Sequence, residues 1–243
     1  MFVPCEQPAP AKGRVSTLFG ERACLHFRDE DGPYCCRAAR RHHPRGGGRG
    51  PVYTLFEGWA IRYHRLPSGT RQILDIVLPG DTVGLASVVL GRIKHSVQAI
   101  TTALCVLRGR GFSDLFAGHP TLAFNILRTR VEEEQRMDIR LSLFGRSSAE
   151  QRIAYLMLET FDRLRQRAMV NAGSTCPFPL QRRDLADAAG LSRVDVARMP
   201  ETVRDRRFAE IQNGTLVIFD RSRLMDLAGH IPLEGPVGRT ALL

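Results

Sequence analysis

From residue 52 to residue 107 the chain alternates short apolar runs with turn residues. The runs are five to eight residues long and rich in β-branched and aromatic side chains: VYTLF, WAIRYHRL, RQILDIVL, SVQAI and ALCVL. Pro67-Ser68-Gly69 follows the second run, and Pro79-Gly80-Asp81 follows the third. Several short strands separated by turn signals are typical of a small sandwich or barrel. The pattern therefore predicts an antiparallel β domain in this part of the chain.

Near Pro120 the apolar period changes to that of a helix. A seam with alternating spacings of four and three carries five apolar side chains among its seven positions, which are Ala123, Leu127, Arg130, Glu134, Met137, Leu141 and Phe144. Such a seam fits a two-stranded coiled coil, in which Arg130 and Glu134 are polar interruptions that fix the register. The alternative is an amphipathic helix that lies on its own β domain. We predict a helix that forms a homodimer.

Gly145 interrupts this helical pattern, and a new helix begins soon after it. Ser147-Ser148-Ala149-Glu150 fits a capping box from Ser147 to Glu150, and the apolar pattern then continues to about Gln166. We therefore expect a hinge and a domain boundary between Gly145 and Ser148.

The most informative stretch runs from Pro179 to Asp220. A short helical pattern from Arg182 to Ala189 meets the turn Gly190-Leu191-Ser192, and a second helix is predicted from Arg193. A glycine in a short turn between two helices is typical of a helix-turn-helix, whose second helix enters the DNA major groove. The hydroxyl of Ser192 is suited to cap that second helix.

A β-hairpin follows the two helices. Asn213-Gly214 lies between the apolar runs FAEI and LVIF, and this dipeptide is the strongest short hairpin signal. The hairpin supplies the wing of a winged helix-turn-helix. The sequence thus predicts a DNA-binding protein.

Composition agrees with a DNA partner and excludes other classes. The 243 residues suffice for two domains, and the net charge of +10, which comes almost entirely from Arg, suits a polyanion. The nearly apolar run from Val83 to Leu90 is too short to span a membrane, and the N-terminus lacks the apolar core of a signal peptide. We expect a soluble cytoplasmic protein with free thiols. Metalloprotease, phosphate-loop and nucleophile-elbow motifs are absent from the sequence, so an enzyme is not predicted.

The order of these elements resembles the CRP/FNR family of bacterial transcription regulators. The resemblance covers residues 51–228, and three stretches carry it: VYTLFEGWAIRYHRLPSGTRQILDIVLPGDTVGL, LFGRSSAEQRIAYLML, and LADAAGLSRVDVAR with NGTLVIFD. It implies an α+β fold with an N-terminal antiparallel β-roll (a double-stranded β-helix), a long dimerisation helix and a C-terminal winged helix-turn-helix. The expected domains are a poorly defined basic segment (1–50), the roll as sensor (51–111), the dimerisation helix (112–145), the DNA-binding domain (146–230) and a tail (231–243).

By the same resemblance, two recognition helices of a homodimer read a palindromic operator in double-stranded DNA, and RNA polymerase is a further partner. The residues expected to contact DNA are Arg182, Ser192, Arg193, Val194, Ala197, Arg198 and Arg204. Arg193 and Arg198 are the leading base readers, because arginine donates two hydrogen bonds to guanine. The alternative for each of these two is a phosphate contact, which positions the protein without specifying a sequence.

Several residues depart from the family pattern. Val194 and Ala197 stand where polar side chains are common, so the usual target sequence does not carry over. Pro200 falls inside the predicted recognition helix, where a proline costs about 3 kcal/mol. Either the helix is kinked beyond Arg198, or this chain binds DNA poorly. A dimeric sensory module that has lost productive DNA binding is therefore the alternative function.

The effector also remains open. Leu85 stands where cyclic-nucleotide binders of the family have an acid, and Lys94 offers a phosphate only a point charge. Cys24, Cys35 and Cys36 have the wrong spacing for an iron–sulfur cluster. Haem binding through His64 or His95 is not expected either, because a single histidine on a strand is usually structural. We expect no cofactor.

Overall fold

The computed structural model describes residues 34–36, 52–90, 94–101, 103–108, 117–171, 173–196 and 207–229. The chain divides into two compact units. Unit 1 comprises Met1–Ser142 and Pro179–Gly190, and unit 2 comprises Leu143–Phe178 and Leu191–Leu243. No helix in these described ranges is long and apolar enough to cross a membrane.

Unit 1 is built on two antiparallel sheets, as the apolar runs predict. One sheet has the strand order β1-β7-β2-β5 and the other has the order β4-β3-β6. Their strands are β1 (Tyr34–Cys36), β2 (Val52–Glu57), β3 (Ala60–Arg65), β4 (Arg71–Val77), β5 (Thr82–Val83), β6 (Ser96–Ala99) and β7 (Ala103–Arg108). Strand β1, which the sequence pattern missed, pairs with β7 from Tyr34 opposite Cys105 to Cys36 opposite Ala103.

The two predicted turns have clear physical causes. Gly69 adopts a φ of 82° in the β3–β4 hairpin, where its N–H donates to the carbonyl of Leu66 at 2.9 Å. After β4, the Asp81 carboxylate accepts a 2.7 Å hydrogen bond from the N–H of Leu78, which stabilises the Pro79-Gly80 turn. Around these turns the inward side chains form the core of unit 1: Val52, Leu55, Trp59, Ala60, Ile61, Tyr63, Ile73, Ile76, Val77 and Leu78.

Three helices belong wholly or mostly to unit 1. Helix α1 (Leu85–Leu90) follows β5, helix α2 (Pro120–Arg146) is the predicted long helix, and helix α4 (Arg182–Ala189) is the first helix of the predicted helix-turn-helix. The interruption expected at Gly145 is wrong in position, because α2 continues through this residue to Arg146. Ser147 and Ser148, inside the predicted hinge from Gly145 to Ser148, separate α2 from the next helix. A single glycine costs a helix only about 1 kcal/mol, which its neighbours can offset.

Unit 2 is built around helix α3 (Ala149–Gln166), which ends where the sequence predicts. The predicted capping box is displaced by one residue: Ser148 accepts from the N–H of Gln151 at 3.2 Å, and the Gln151 side chain accepts from the N–H of Ser148 at 2.8 Å. Ser147 and Glu150 do not form the box, because α3 begins at Ala149 and places Gln151 at the third helical position.

A three-stranded sheet and one more helix complete unit 2. The sheet has the order β8-β10-β9, from β8 (Thr175–Pro177), β9 (Ala209–Gln212) and β10 (Thr215–Ile218), and helix α5 is Arg221–Ala228. Arg221 of α5 donates to both carboxylate oxygens of Asp162 on α3, at 3.1 and 2.8 Å. The apolar faces of these elements form one core: Ile153, Met157, Leu158, Phe161, Leu164, Phe178, Leu216, Ile218 and Leu224.

Candidate nucleic-acid interface

Helix α4 has well-defined ends. At its start the Asp184 carboxylate accepts a 3.0 Å hydrogen bond from the N–H of Gln181. At its end Gly190 adopts a left-handed conformation with φ 63° and donates its N–H to Ala186. Most L residues are strained in that conformation, whereas glycine is not. The helix therefore stops at the glycine that the sequence marks as the turn of the helix-turn-helix.

Within unit 1, helix α4 is held against strand β4 by one arginine. Arg71 donates through Nε to Asp187 and through Nη2 to Asp184, both at 2.6 Å. The Asp184 side chain is 3% exposed, and the Arg71 guanidinium also lies 5.8 Å from the ring centre of Tyr63. Burial opposes the charge of Arg71, but the hydrogen bonds and charges of Asp184 and Asp187 raise its pKa. We name this group of Arg71, Asp184 and Asp187 the Arg71 clamp.

In unit 2 the recognition segment begins with a capping box at Ser192. The Ser192 hydroxyl accepts from the N–H of Asp195 at 3.2 Å, and the Asp195 carboxylate accepts from the Ser192 hydroxyl at 2.6 Å and from its N–H at 3.3 Å. The residues 193–196 are helical, and Val196 donates its N–H to the Ser192 carbonyl at 3.2 Å. Ser192 is thus the cap that the sequence predicts.

The wing is the hairpin between β9 and β10. Asn213 and Gly214 have φ values of 50° and 74°, the pair of positive values that a two-residue hairpin of this kind requires. Thr215 pairs with Gln212 beside the turn, and the Gly214 carbonyl accepts a 2.7 Å hydrogen bond from the N–H of Phe178. Asn213 and Gly214 are exposed, so the wing tip is open to solvent.

Four of the predicted DNA-contacting residues lie in the described part of the chain. Arg182, Ser192, Arg193 and Val194 are all exposed, Arg182 at the start of α4 and the other three at the start of the recognition segment. Ala197, Arg198 and Arg204, together with Pro200, lie outside the described residues.

Two features of this region were missed in the sequence. The Ser192-to-Asp195 spacing carries a capping-box signal, so Asp195 could have been found from the sequence. The Arg71 clamp joins residues more than a hundred positions apart. No local pattern indicates such a pair.

Comparisons with known proteins support a helix-turn-helix in this part of the chain. The sequence model of the Crp-like helix-turn-helix domain matches residues 151–227. The nitrogen fixation regulation protein FixK of Bradyrhizobium diazoefficiens is 30% identical over 177 residues, which cover 72% of this chain and 73% of that protein. The chain belongs to the CRP/FNR family of transcription regulators.

Two further members of the family are similar to this chain, one in sequence and one in structure. The transcriptional activatory protein AadR of Rhodopseudomonas palustris is 30% identical over 169 residues, 69% of each chain. The solved structure of FixK2 from Bradyrhizobium japonicum superposes with a TM-score of 0.70 at 26% identity and covers 82% of this chain and 98% of that one. The fold class and the DNA-binding role expected from the sequence are confirmed, and the relatives are regulators, not enzymes.

This CRP/FNR-family chain has a polar cavity in unit 1, between its sheets and α2. Its volume is about 60 Å³, and its lining includes Arg62, Asp75, His95, Arg130 and Glu133. Small-molecule sites usually measure roughly 300–1,000 Å³, so the cavity has room for a few waters and not for a nucleotide. Leu85, which stands where cyclic-nucleotide binders have an acid, also lines it.

Ion pairs fill much of the cavity wall. The Glu133 carboxylate of α2 forms ion pairs with Arg62 of β3 and Arg130 of α2, both at 2.5 Å. Arg130 also donates a 2.6 Å hydrogen bond to the Thr82 carbonyl. The Nε–H groups of Arg62 and Arg130 are buried and have no acceptor within the described part of the chain. Arg130, placed by the sequence pattern in the coiled-coil seam, faces the sheets instead.

His95 makes the stability of this regulator sensitive to acid. Burial, aided by the charges of Arg62, His64 and Arg130, lowers its pKa from 6.5 to about 4. Between these values the unfolded chain binds a proton that the folded chain does not, so stability falls as the pH falls from 6.5 to about 4. We expect the melting temperature of His95→Gln to fall less between pH 7 and pH 5 than that of the parent. Equal losses in a thermal melt series would contradict this, and His119→Gln is the control.

The described residues offer no group of three or more His, Cys, Asp or Glu that could hold a metal ion. Cys176 is a buried free thiol, and burial raises its pKa to about 12, so it stays neutral and unreactive. Of the cysteines considered for a cluster, Cys35 and Cys36 lie on β1, and Cys24 lies outside the described residues.

Proposed function

We propose that this regulator is a homodimer that binds a palindromic operator in double-stranded DNA and responds to an effector in unit 1. The observation that carries the proposal is the capped recognition segment, which presents Arg193 and Val194 to solvent in a chain of the CRP/FNR family. RNA polymerase is a further partner in this proposal, and the bacterial cytoplasm, where the DNA lies, is the proposed location.

A line of apolar side chains on α2 supports the dimer. Phe124, Leu127, Val131 and Leu141 are 46 to 72% exposed. With the exposed Glu134 and Asp138 they form a seam of alternating three- and four-residue spacings, the repeat of a two-stranded coiled coil. Three residues of the predicted seam are retained: Leu127, Glu134 and Leu141. Its other members change, because Ala123, Arg130 and Met137 are each replaced by the following residue and Phe144 is left out. We call this set of six residues the α2 seam.

The cavity in unit 1 supports a compact effector. Its lining includes Arg62 and Arg130, whose guanidinium groups suit an effector with oxygen acceptors, and its small volume excludes a cyclic nucleotide in this conformation. Because Glu133 and Arg130 belong to α2, an acceptor that recruits either arginine would disturb the helix that carries the α2 seam. That connection is the physical basis for coupling effector binding to the dimer.

The arginines around the recognition segment differ in the part of the DNA that we expect each of them to contact. Val196 is fully buried, and Arg193 lies three residues before it, so the two side chains project about 60° apart. This direction favours a phosphate contact for Arg193 at the edge of the groove. Arg198, five residues after Arg193, remains the leading base reader. In this proposal Ala197 also faces the bases, and the DNA backbone is contacted by Arg182, Ser192 and Arg204.

Selection of bound sequences from random duplex DNA tests the proposal. Recovery of a palindrome with two half-sites about one helical turn apart would support a dimer with two recognition helices. Binding without sequence preference, or none in a gel-shift series, would contradict it and favour a sensory module that has lost productive DNA binding.

Arg198→Ala is expected to weaken binding to the selected operator by about 1–3 kcal/mol, because a bidentate contact to guanine is lost. The loss should be confined to one base position of the half-site in a competition gel shift. A uniform loss on all sequences, with a smaller salt dependence, would instead assign Arg198 to a phosphate. An unchanged affinity would exclude it from the interface.

A further inference from the structure

The recognition segment carries an exposed valine that the family comparison does not explain. Val194 is 64% exposed, whereas Val196 is fully buried in unit 2. Successive residues of an α-helix are turned by about 100°, so these two side chains project about 160° apart. Val194 therefore lies on the side of the helix opposite to the buried Val196.

The neighbours of Val194 are less suited to meet the bases. The Asp195 carboxylate is engaged by both the N–H and the hydroxyl of Ser192. Arg193 projects nearer to the buried side of the helix, as argued above. At the first turn of the segment, Val194 is thus the side chain that faces directly outward. In a helix-turn-helix this turn contacts the base edges.

The chemistry of valine restricts what it can read. Valine has no hydrogen-bond donor or acceptor, and each base pair presents donors or acceptors in the major groove. Pressed against guanine or cytosine, it would remove water from polar groups and leave them unpaired, which is unfavourable. Thymine alone among the four standard bases presents an apolar group there, its C5 methyl.

We propose that Val194 is a specificity-determining residue that packs against the C5 methyl of a thymine in each half-site. The proposal rests on the proposed function, since it requires that this helix enters the major groove. It predicts an operator with a T·A pair at this position, in place of the base pair that a polar side chain would select.

Replacing single thymines of the selected operator by deoxyuridine tests the proposal, because this change removes only the methyl group. Each half-site should contain one thymine whose single replacement weakens binding of the parent protein about fourfold, which is the free energy of one buried methylene-sized group expressed as affinity. With Val194→Ala, the same deoxyuridine substitution should have little effect, because the side chain that contacted the methyl is shortened. Val194→Ile should retain the sensitivity.

A matched control is Val89→Ala, which shortens another exposed valine (71%), on α1 in unit 1, and should leave every deoxyuridine effect as in the parent. If the operator is selected and bound but no thymine shows a methyl effect that depends on Val194, the inference is wrong while the proposed function stands. If random DNA yields no preferred sequence, the proposed function itself fails. Loss of the methyl effect in Val89→Ala as well would also contradict the inference.

Discussion

Leu127→Glu combined with Leu141→Glu is expected to yield monomers and to weaken operator binding on the order of 100-fold or more. Both side chains lie on the α2 seam, with 60% and 72% of their surfaces exposed in the single chain. In the proposed dimer they are buried against the partner copy, where two added carboxylates would be desolvated without a counter-charge. A monomer loses the effective concentration that links its two half-sites, and this linkage contributes about 10²–10⁴ to affinity.

Light scattering measures the first effect and a gel shift on the selected palindrome measures the second. The control is Asn125→Asp with Arg146→Gln, which lowers the charge of α2 by the same two units at residues that neither belong to the α2 seam nor flank it. The control should remain dimeric with parental affinity. A seam variant that stays dimeric would exclude α2 as the interface, and the helix would then be an amphipathic one that serves only unit 1.

Arg71→Ala is expected to lower the free energy of unfolding of unit 1 by about 3 kcal/mol. The change leaves the buried Asp184 carboxylate without its main partner, and breaking a buried ion pair on one side usually costs about 3–5 kcal/mol. We expect the lower end of this energy range, because the Asp184 carboxylate still accepts a hydrogen bond from the N–H of Gln181 and lies 3.9 Å from the Arg183 guanidinium. Denaturation followed by Trp59, the single tryptophan, reports on unit 1, where its ring is buried.

Two variants sharpen this measurement. Arg65→Ala removes an exposed arginine from the neighbouring strand and should change the unfolding free energy by less than about 0.5 kcal/mol. Arg71→Ala with Asp184→Asn should recover part of the loss, because no uncompensated buried charge remains. If Arg71→Ala unfolds like the parent, the Arg71 clamp contributes nothing to the stability of unit 1.

The sequence predicted the fold well where local rules apply. Strands β2, β3, β4, β6 and β7 lie where the short apolar runs fall, helix α4 has its predicted bounds, and Asn213-Gly214 forms the predicted hairpin turn. Each of these rests on residues that are close in the chain, so period, propensity and turn chemistry determine them together.

Prediction was weaker at boundaries and in segments without a pattern. Helix α2 passes through Gly145, and the cap of α3 is Ser148, not Ser147. Ser147 and Ser148 are both good caps, so the choice between them depends on where the preceding helix ends. Strand β1 is three residues long and pairs with β7 far along the chain, so its own sequence gives little signal.

By itself the sequence thus determined the family architecture, the capped recognition segment and the wing, because caps, turns and periodicity act between near neighbours. Only the tertiary structure decided which face of α2 is exposed, since Arg130 turns toward Glu133 and Thr82 while Phe124 and Val131 remain uncovered. It also decided that Arg71 holds α4 and that the cavity is too small for a nucleotide. These depend on charged and apolar groups that meet only when distant segments pack together, which no local pattern encodes.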